Sequence, residues 1–137
     1  MIPFILLVAQ FLHSDNAYAL PREYVKRVID GDSIVLGSGE HVRMLGYNSV
    51  ERAHKDYYKQ GKYLSDLILR TNIVIHRTGK DRYKRTLATI YLGNTCINKI
   101  MRKYLKRTTR VYNKYDKLTT KKQFNALILC GVNIDND

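Results

Sequence analysis

Tryptophan is absent from this chain of 137 residues, cysteine occurs only twice, and acids number 12 against 24 lysines and arginines. Two cysteines exclude both a disulfide framework and a cysteine-rich zinc site. The shortage of acid leaves a formal charge of +12, and so large an excess points to a polyanionic partner. Nucleic acid, an anionic membrane surface and an acidic polysaccharide all qualify. Repeats and low-complexity tracts are missing as well. The histidines, His13, His41, His54 and His76, show no ligand spacing and read as ordinary surface or half-buried residues. What is present is 45% hydrophobic and includes eleven tyrosines against three phenylalanines. That supplies one real core, which excludes a wholly disordered chain, and the length leaves no room for two ordinary domains.

The N-terminus differs in kind from the rest. Ile2–Leu12 (IPFILLVAQFL) is an apolar run too short to span a bilayer as a stable helix. It leads into Ala17-Tyr18-Ala19, a small-x-small pattern of the signal-peptidase type, although no Lys or Arg precedes the run. Residues 1–19 are therefore expected to be a signal peptide, with a buried strand or helix and an uncleaved anchor as alternatives. Export to the periplasm or outside the cell follows, with no stable membrane association after cleavage. It would put Cys96 and Cys130 where they could pair, which the sequence leaves open.

Strands come first in residues 20–137 and helices later. YVKRVI (24–29), SIVL (33–36) and HVRML (41–45) are short β-branched runs separated by Asp30-Gly31-Asp32 and Gly37-Ser38-Gly39 turns. Tyr57, Tyr58, Gly61, Leu64, Leu67 and Ile68 follow helical spacing, predicting an amphipathic helix over Lys55–Arg70. NIVIH (72–76) and LATIYL (87–92) are two more strands, with a basic loop containing Gly79 between them. A second helix shows Cys96, Ile97, Ile100, Met101, Tyr104 and Leu105 on one face and Lys99, Arg102, Lys103, Lys106 and Arg107 on the other. Residues 110–118 read as an exposed loop. A third helix opens at Thr119 or Thr120 with capping-box spacing to Gln123, buries Phe124, Leu127 and Ile128, and stops at Gly131. Five short strands with about three helices predict an α+β domain built on a small OB-type barrel.

Four segments carry candidate chemistry. Asp30-Gly31-Asp32-Ser33 sets two carboxylates around a glycine, a pattern most often an ordinary turn. Arg43 lies in an apolar strand, where a charge needs a partner, a cleft or simple outward alternation with His41. Glu51 follows in Asn48-Ser49-Val50-Glu51, either as a functional acid or as a helix-entry acid. Asp81-Arg82-Tyr83-Lys84-Arg85 is a solvated basic turn or a phosphate clamp.

In order and spacing, "VIDGDSIVL", "VRMLGYNSVE" and "DRYKRTLATIYL…N" resemble the staphylococcal-nuclease (thermonuclease) family, from about Tyr24 to at least Tyr112. The resemblance implies a five-stranded OB-type barrel with three helices and a calcium-dependent phosphodiesterase that cuts DNA and RNA, leaving 3′-phosphate ends. By position it implies Asp32 as a calcium ligand, with Ser49 contributing a backbone carbonyl. Arg43 and Arg85 would hold the scissile phosphate, and Glu51 would act as general base or water-positioning group. Tyr83, Lys84 and Tyr112 would contact the nucleotide.

Two departures stand out: Asn48 replaces a calcium-binding aspartate and Val50 a proline. Asparagine still offers one carbonyl oxygen, but with one charge fewer the expectation is weaker calcium binding or an altered metal preference. A binding module on the same fold, or a cationic protein acting on anionic membranes or cell-wall polymers, are the alternatives. The ten basic residues of Lys99–Lys122, with Asp116 the one acid, favour nucleic acid over a merely solvated face. A monomer is expected.

Overall fold

A computed structural model describes residues 20–108 and 120–133. The expected signal peptide, the expected 110–118 loop and Tyr112 lie outside the described residues. The chain runs β1 (Glu23–Asp30), β2 (Ser33–Leu36), β3 (His41–Met44), α1 (Tyr57–Ile68), β4 (Asn72–Lys80), β5 (Thr86–Leu92), β6 (Thr95–Cys96), α2 (Ile97–Thr108) and α3 (Lys121–Cys130).

β1 pairs with β2, β2 with β3, β3 with β5, β5 with β4, and β4 returns to β1. Those five strands close a ring, the OB-type barrel of an α+β domain. β3 and β5 run parallel and the other pairs antiparallel. The two-residue β6 adds to β5 outside the ring. The barrel is filled by Val25, Ile34, Leu36, Val42, Met44, Ile73, Ala88 and Ile90, with Leu64 and Ile68 of α1 and Ile97, Met101 and Leu105 of α2 packed on it. In β3 the alternation is as read: Val42 and Met44 go inward, so Arg43 goes to the other face.

Several boundaries and faces differ from expectation. α1 begins at Tyr57, two residues late, because His54 N–H donates to the Glu51 carbonyl and Tyr57 N–H to the His54 carbonyl, making turns of that stretch. Its buried face is Gln60, Leu64 and Ile68, while Tyr58 is 76% exposed. Gly79 sits not in a loop but in β4, at a register shift where its φ of +150° suits a bulge. Cys96 belongs to β6 rather than to the face of α2.

Arg102, expected in solvent, is buried, and its Nη1 donates to the Gly46 carbonyl. Leu127 is buried as expected, but Phe124 and Ile128, also expected in the core, are 45% and 49% exposed, and α3 buries Gln123, Ala126 and Cys130 in their place. Cys130 forms a disulfide with Cys96, and this tether turns the Ala126/Leu127/Cys130 face inward. Closing a loop across 34 residues is worth about 3–4 kcal/mol in the chain-entropy account. The ends of α3 are as predicted: Thr120 and Gln123 form a reciprocal capping box, and Gly131 ends the helix at φ +87°.

Candidate active site

The β1–β2 turn, the end of β3 and the loop after it meet at one mouth of the barrel. Gly31 is forced there by space: a Cβ on it would lie 2.8 Å from the Ser49 Cβ and 3.1 Å from the Gln60 Cβ. Its absence lets the 48–51 loop close over the turn. Tyr47 O–H donates to the Gly31 carbonyl at 2.6 Å, and Val50 N–H donates to Gln60 Oε1 at 2.9 Å, so the loop is fixed at both ends.

Asp32 is the hub. Its Oδ2 accepts from the Ser49 N–H at 2.8 Å and the Ser49 hydroxyl at 3.0 Å, and its Oδ1 accepts from the Ser33 hydroxyl at 2.8 Å. Arg43 Nη2 lies 3.3 Å from Asp32 Oδ2 and donates to Asn48 Oδ1, while Nη1 donates to the Met44 and Tyr47 carbonyls. A strand arginine half-buried against one carboxylate and three oxygens of its own loop is held in a single orientation. Across the site, Arg85 Nε pairs with Asp81 Oδ2 at 2.7 Å, and its Nη1 reaches the Ser33 hydroxyl at 3.4 Å. The Asp81 carboxylate also accepts the Tyr83 and Arg85 backbone N–H groups, which bends the basic segment and aims Arg85 inward.

Asp32, Arg43, Asn48, Ser49 and Arg85 line one cleft of about 500 Å³ with Asp30, Val50, Glu51, Arg52 and Tyr57. Asp32, Arg43, Asn48, Ser49, Glu51 and Arg85, drawn from all four candidate segments, are thus brought together. Tyr83 and Lys84 do not line the cleft. Tyr83 stands exposed beside it, its ring under the Arg82 guanidinium at 4.8 Å and the Arg85 guanidinium at 5.5 Å. Lys84 forms the tip of the turn at φ +64°.

Sequence reasoning gave too little weight to Asp30 and did not single out Arg52, Tyr57 or Gln60. Burial, with the Asp32 carboxylate as the second cause, pushes the Asp30 carboxyl up to about 6. Asp30 Oδ1 also accepts the Asp32 N–H at 3.1 Å. The DGD spacing was the available signal for it. Nothing in the local sequence marked Gln60 as the loop's anchor.

No cluster of three or more His, Cys, Asp or Glu side chains is arranged for a metal among the described residues. The oxygen donors lining this mouth include the carboxylates of Asp30, Asp32 and Glu51 and the amide oxygen of Asn48. The mutual repulsion of Asp30 and Asp32 is what a hard cation relieves, so the donor set fits an oxygen-seeking divalent ion. Asn48 Oδ1, however, is already engaged by Arg43.

Residues 41–127 match the family described as Staphylococcal nuclease homologue. The chain belongs to that family. The match takes in Arg43, Asn48, Ser49, Glu51 and Arg85 and begins after the DGD turn. A protein of Staphylococcus intermedius named Thermonuclease is 30% identical over 115 residues, 71% of this chain and 68% of that protein. A Staphylococcus hyicus protein of the same name is 37% identical over 90 residues, 58% of this chain and 53% of its own length. A Haemophilus influenzae protein named Uncharacterized endonuclease is 37% identical over 78 residues, 54% of this chain and 44% of the relative. This chain spans about half the length of two of these three relatives.

Proposed function

We propose that this chain is an exported, metal-dependent phosphodiesterase that hydrolyses DNA and RNA. One observation carries the reading: Asp32, Arg43, Glu51 and Arg85 line a single polar cleft, although 53 positions separate the first from the last. Phosphodiester hydrolysis needs an oriented water, a group to take its proton, and positive charge on the developing phosphorane.

Glu51, exposed at the rim of the cleft, is the group that positions water and accepts its proton. Arg43 and Arg85 clamp the phosphate, their forks matching its oxygens and keeping their charge at any working pH. Asp32, Asp30 and the oxygens of Asn48 and Ser49 would hold a hard divalent cation such as Ca²⁺, and such an ion supplies positive charge next to the phosphate. Tyr83 and Lys84 flank the Arg85 end, where a nucleotide would extend. The printed names of the relatives, thermonuclease and endonuclease, support the same activity. Export is supported by the apolar run ahead of Ala17-Tyr18-Ala19 and by the Cys96–Cys130 bond, which suits an oxidising compartment.

A second reading has a specific observation behind it. Asn48 carries no charge and gives its oxygen to Arg43, which favours a nucleic-acid-binding module without turnover. Cleavage of labelled single-stranded DNA by residues 20–137 in calcium, manganese, magnesium or EDTA separates the two. Metal-dependent cleavage, reduced about 10²- to 10⁴-fold by Glu51→Gln, is the expected result. Salt-sensitive binding with no cleavage in any metal would overturn the enzyme in favour of the module.

A further inference from the structure

Beside the catalytic cleft lies a second depression of about 290 Å³, lined by Val28, Ile29, Arg52, Tyr57, Tyr58 and Lys62 among others. It shares Asp30, Arg52 and Tyr57 with the cleft and includes neither Arg43 nor Arg85, so it adjoins the cleft away from the two arginines of the proposed clamp. Its make-up is unlike a leftover surface dent. Tyr58 is on the helix face that amphipathic spacing assigned to the core, yet it stands 76% exposed, with Ile29 beside it at 39%. Tyr57 meets it edge to face with the centroids 5.3 Å apart, which fixes the ring while leaving it open to solvent. Arg52, at the junction of the two depressions, makes no hydrogen bond or ion pair among the described residues. Lys62, by contrast, is paired with Asp66 at 2.8 Å.

An exposed, braced aromatic ring beside Val28 and Ile29, one step from the proposed phosphate site and with an arginine that no described residue engages between, fits the chemistry of a nucleobase and its linking phosphate. We propose that this depression is a subsite for the nucleotide next to the scissile phosphate, its base stacking on Tyr58 and its linking phosphate meeting Arg52. The inference rests on the phosphodiesterase reading and sharpens it. A base lying on Tyr58 is not paired, so the preferred substrate is single-stranded, and the strand runs from Tyr83 past Arg85 and Arg43 to Tyr58.

The test is equilibrium binding of short single-stranded oligonucleotides, each abasic at a different position. It is run in EDTA and again with calcium on a Glu51→Gln background. Tyr58→Ala should weaken binding of the intact oligonucleotide about 5- to 100-fold, with Tyr58→Phe close to wild type. Removing the base at one position should cost the wild type the same factor and the Tyr58→Ala protein nothing more. Tyr58 is exposed, so unchanged thermal unfolding of the variant is expected and is measured alongside. Wild-type affinity in Tyr58→Ala, or equal losses at every abasic position in both proteins, overturns the subsite. Cleavage is scored separately. A protein that cuts but lacks the Tyr58 signature loses only the subsite, one with the signature but no cleavage loses only the enzyme, and one that binds no oligonucleotide loses both.

Discussion

Replacing Gly46 with alanine tests how the distant third helix holds the active loop. Gly46 has φ +89°, and a Cβ on it would lie 2.6 Å from Cδ2 of Leu127, which is completely buried on α3. The left-handed backbone costs a non-glycine residue about 1–2 kcal/mol. Overpacking against a side chain that cannot move into solvent adds about 1–3 kcal/mol. Urea unfolding of Gly46→Ala should therefore show a loss of about 2–5 kcal/mol with an unchanged m-value. Leu127→Ala alone should lose about 2–5 kcal/mol through its cavity. In the double variant the new methyl group occupies that space, so its loss should be smaller than the sum of the two by about 1–3 kcal/mol. The effect should reach the cleft. The Gly46 carbonyl accepts from Arg102 and the next carbonyl, Tyr47, accepts from Arg43, so displacing this loop moves Arg43, the proposed phosphate clamp. Under the proposed function, a shift of ~1 Å there should lower cleavage by about 10²-fold. Strict additivity of the double variant, or a Gly46→Ala protein as stable as wild type, would refute the reasoning.

Two further outcomes follow from particular contacts. Glu40 accepts from Arg77 and from the Thr86 hydroxyl, and the Arg77 bond chiefly holds its carboxyl down to about 2 from the ordinary 4.5. A depressed carboxylate stabilises the fold fully above its unfolded pKa, and that stability is lost as pH falls toward the folded value. Wild type should therefore exceed Glu40→Gln by about 1–2 kcal/mol at pH 7, the figure being discounted for solvent screening, and the gap should close between pH 4.5 and 2. A gap that is constant across urea titrations in that range contradicts the assignment. Asn48→Asp adds a carboxylate next to Asp32 and Arg43, so calcium measured by titration calorimetry should bind at least tenfold more tightly. Unchanged affinity would mean that position 48 faces Arg43 alone and contributes nothing to the ion.

The barrel was largely legible in the sequence because it is written in short local patterns, and the ordered set of three motifs picked out residues that the fold gathers at one cleft. Period-two alternation in HVRM separates Val42 and Met44 from Arg43, and each strand of the ring carries its own β-branched run between turn residues. What was not legible depends on which neighbour an element meets. Helical spacing gave α3 an apolar stripe through Phe124, Leu127 and Ile128, but the disulfide at Cys130 keeps only Leu127 of these inside and turns the face with Ala126 inward. Arg102 looked like one more cation on a basic face until Gly46, 56 positions earlier, supplied its carbonyl. Tyr58 fits a core pattern and Gln60 a surface one, yet they exchange places. Gln60 is drawn in because the 48–51 loop has a backbone N–H to satisfy, and Tyr58 is left facing the groove beside the cleft. These reversals of buried and exposed faces therefore fall on the helices around the barrel, and Gln60 and Arg102 each hold part of the loop that forms the cleft. Positions at which amphipathic spacing fails are accordingly the ones to mutate first when mapping how far the substrate site extends.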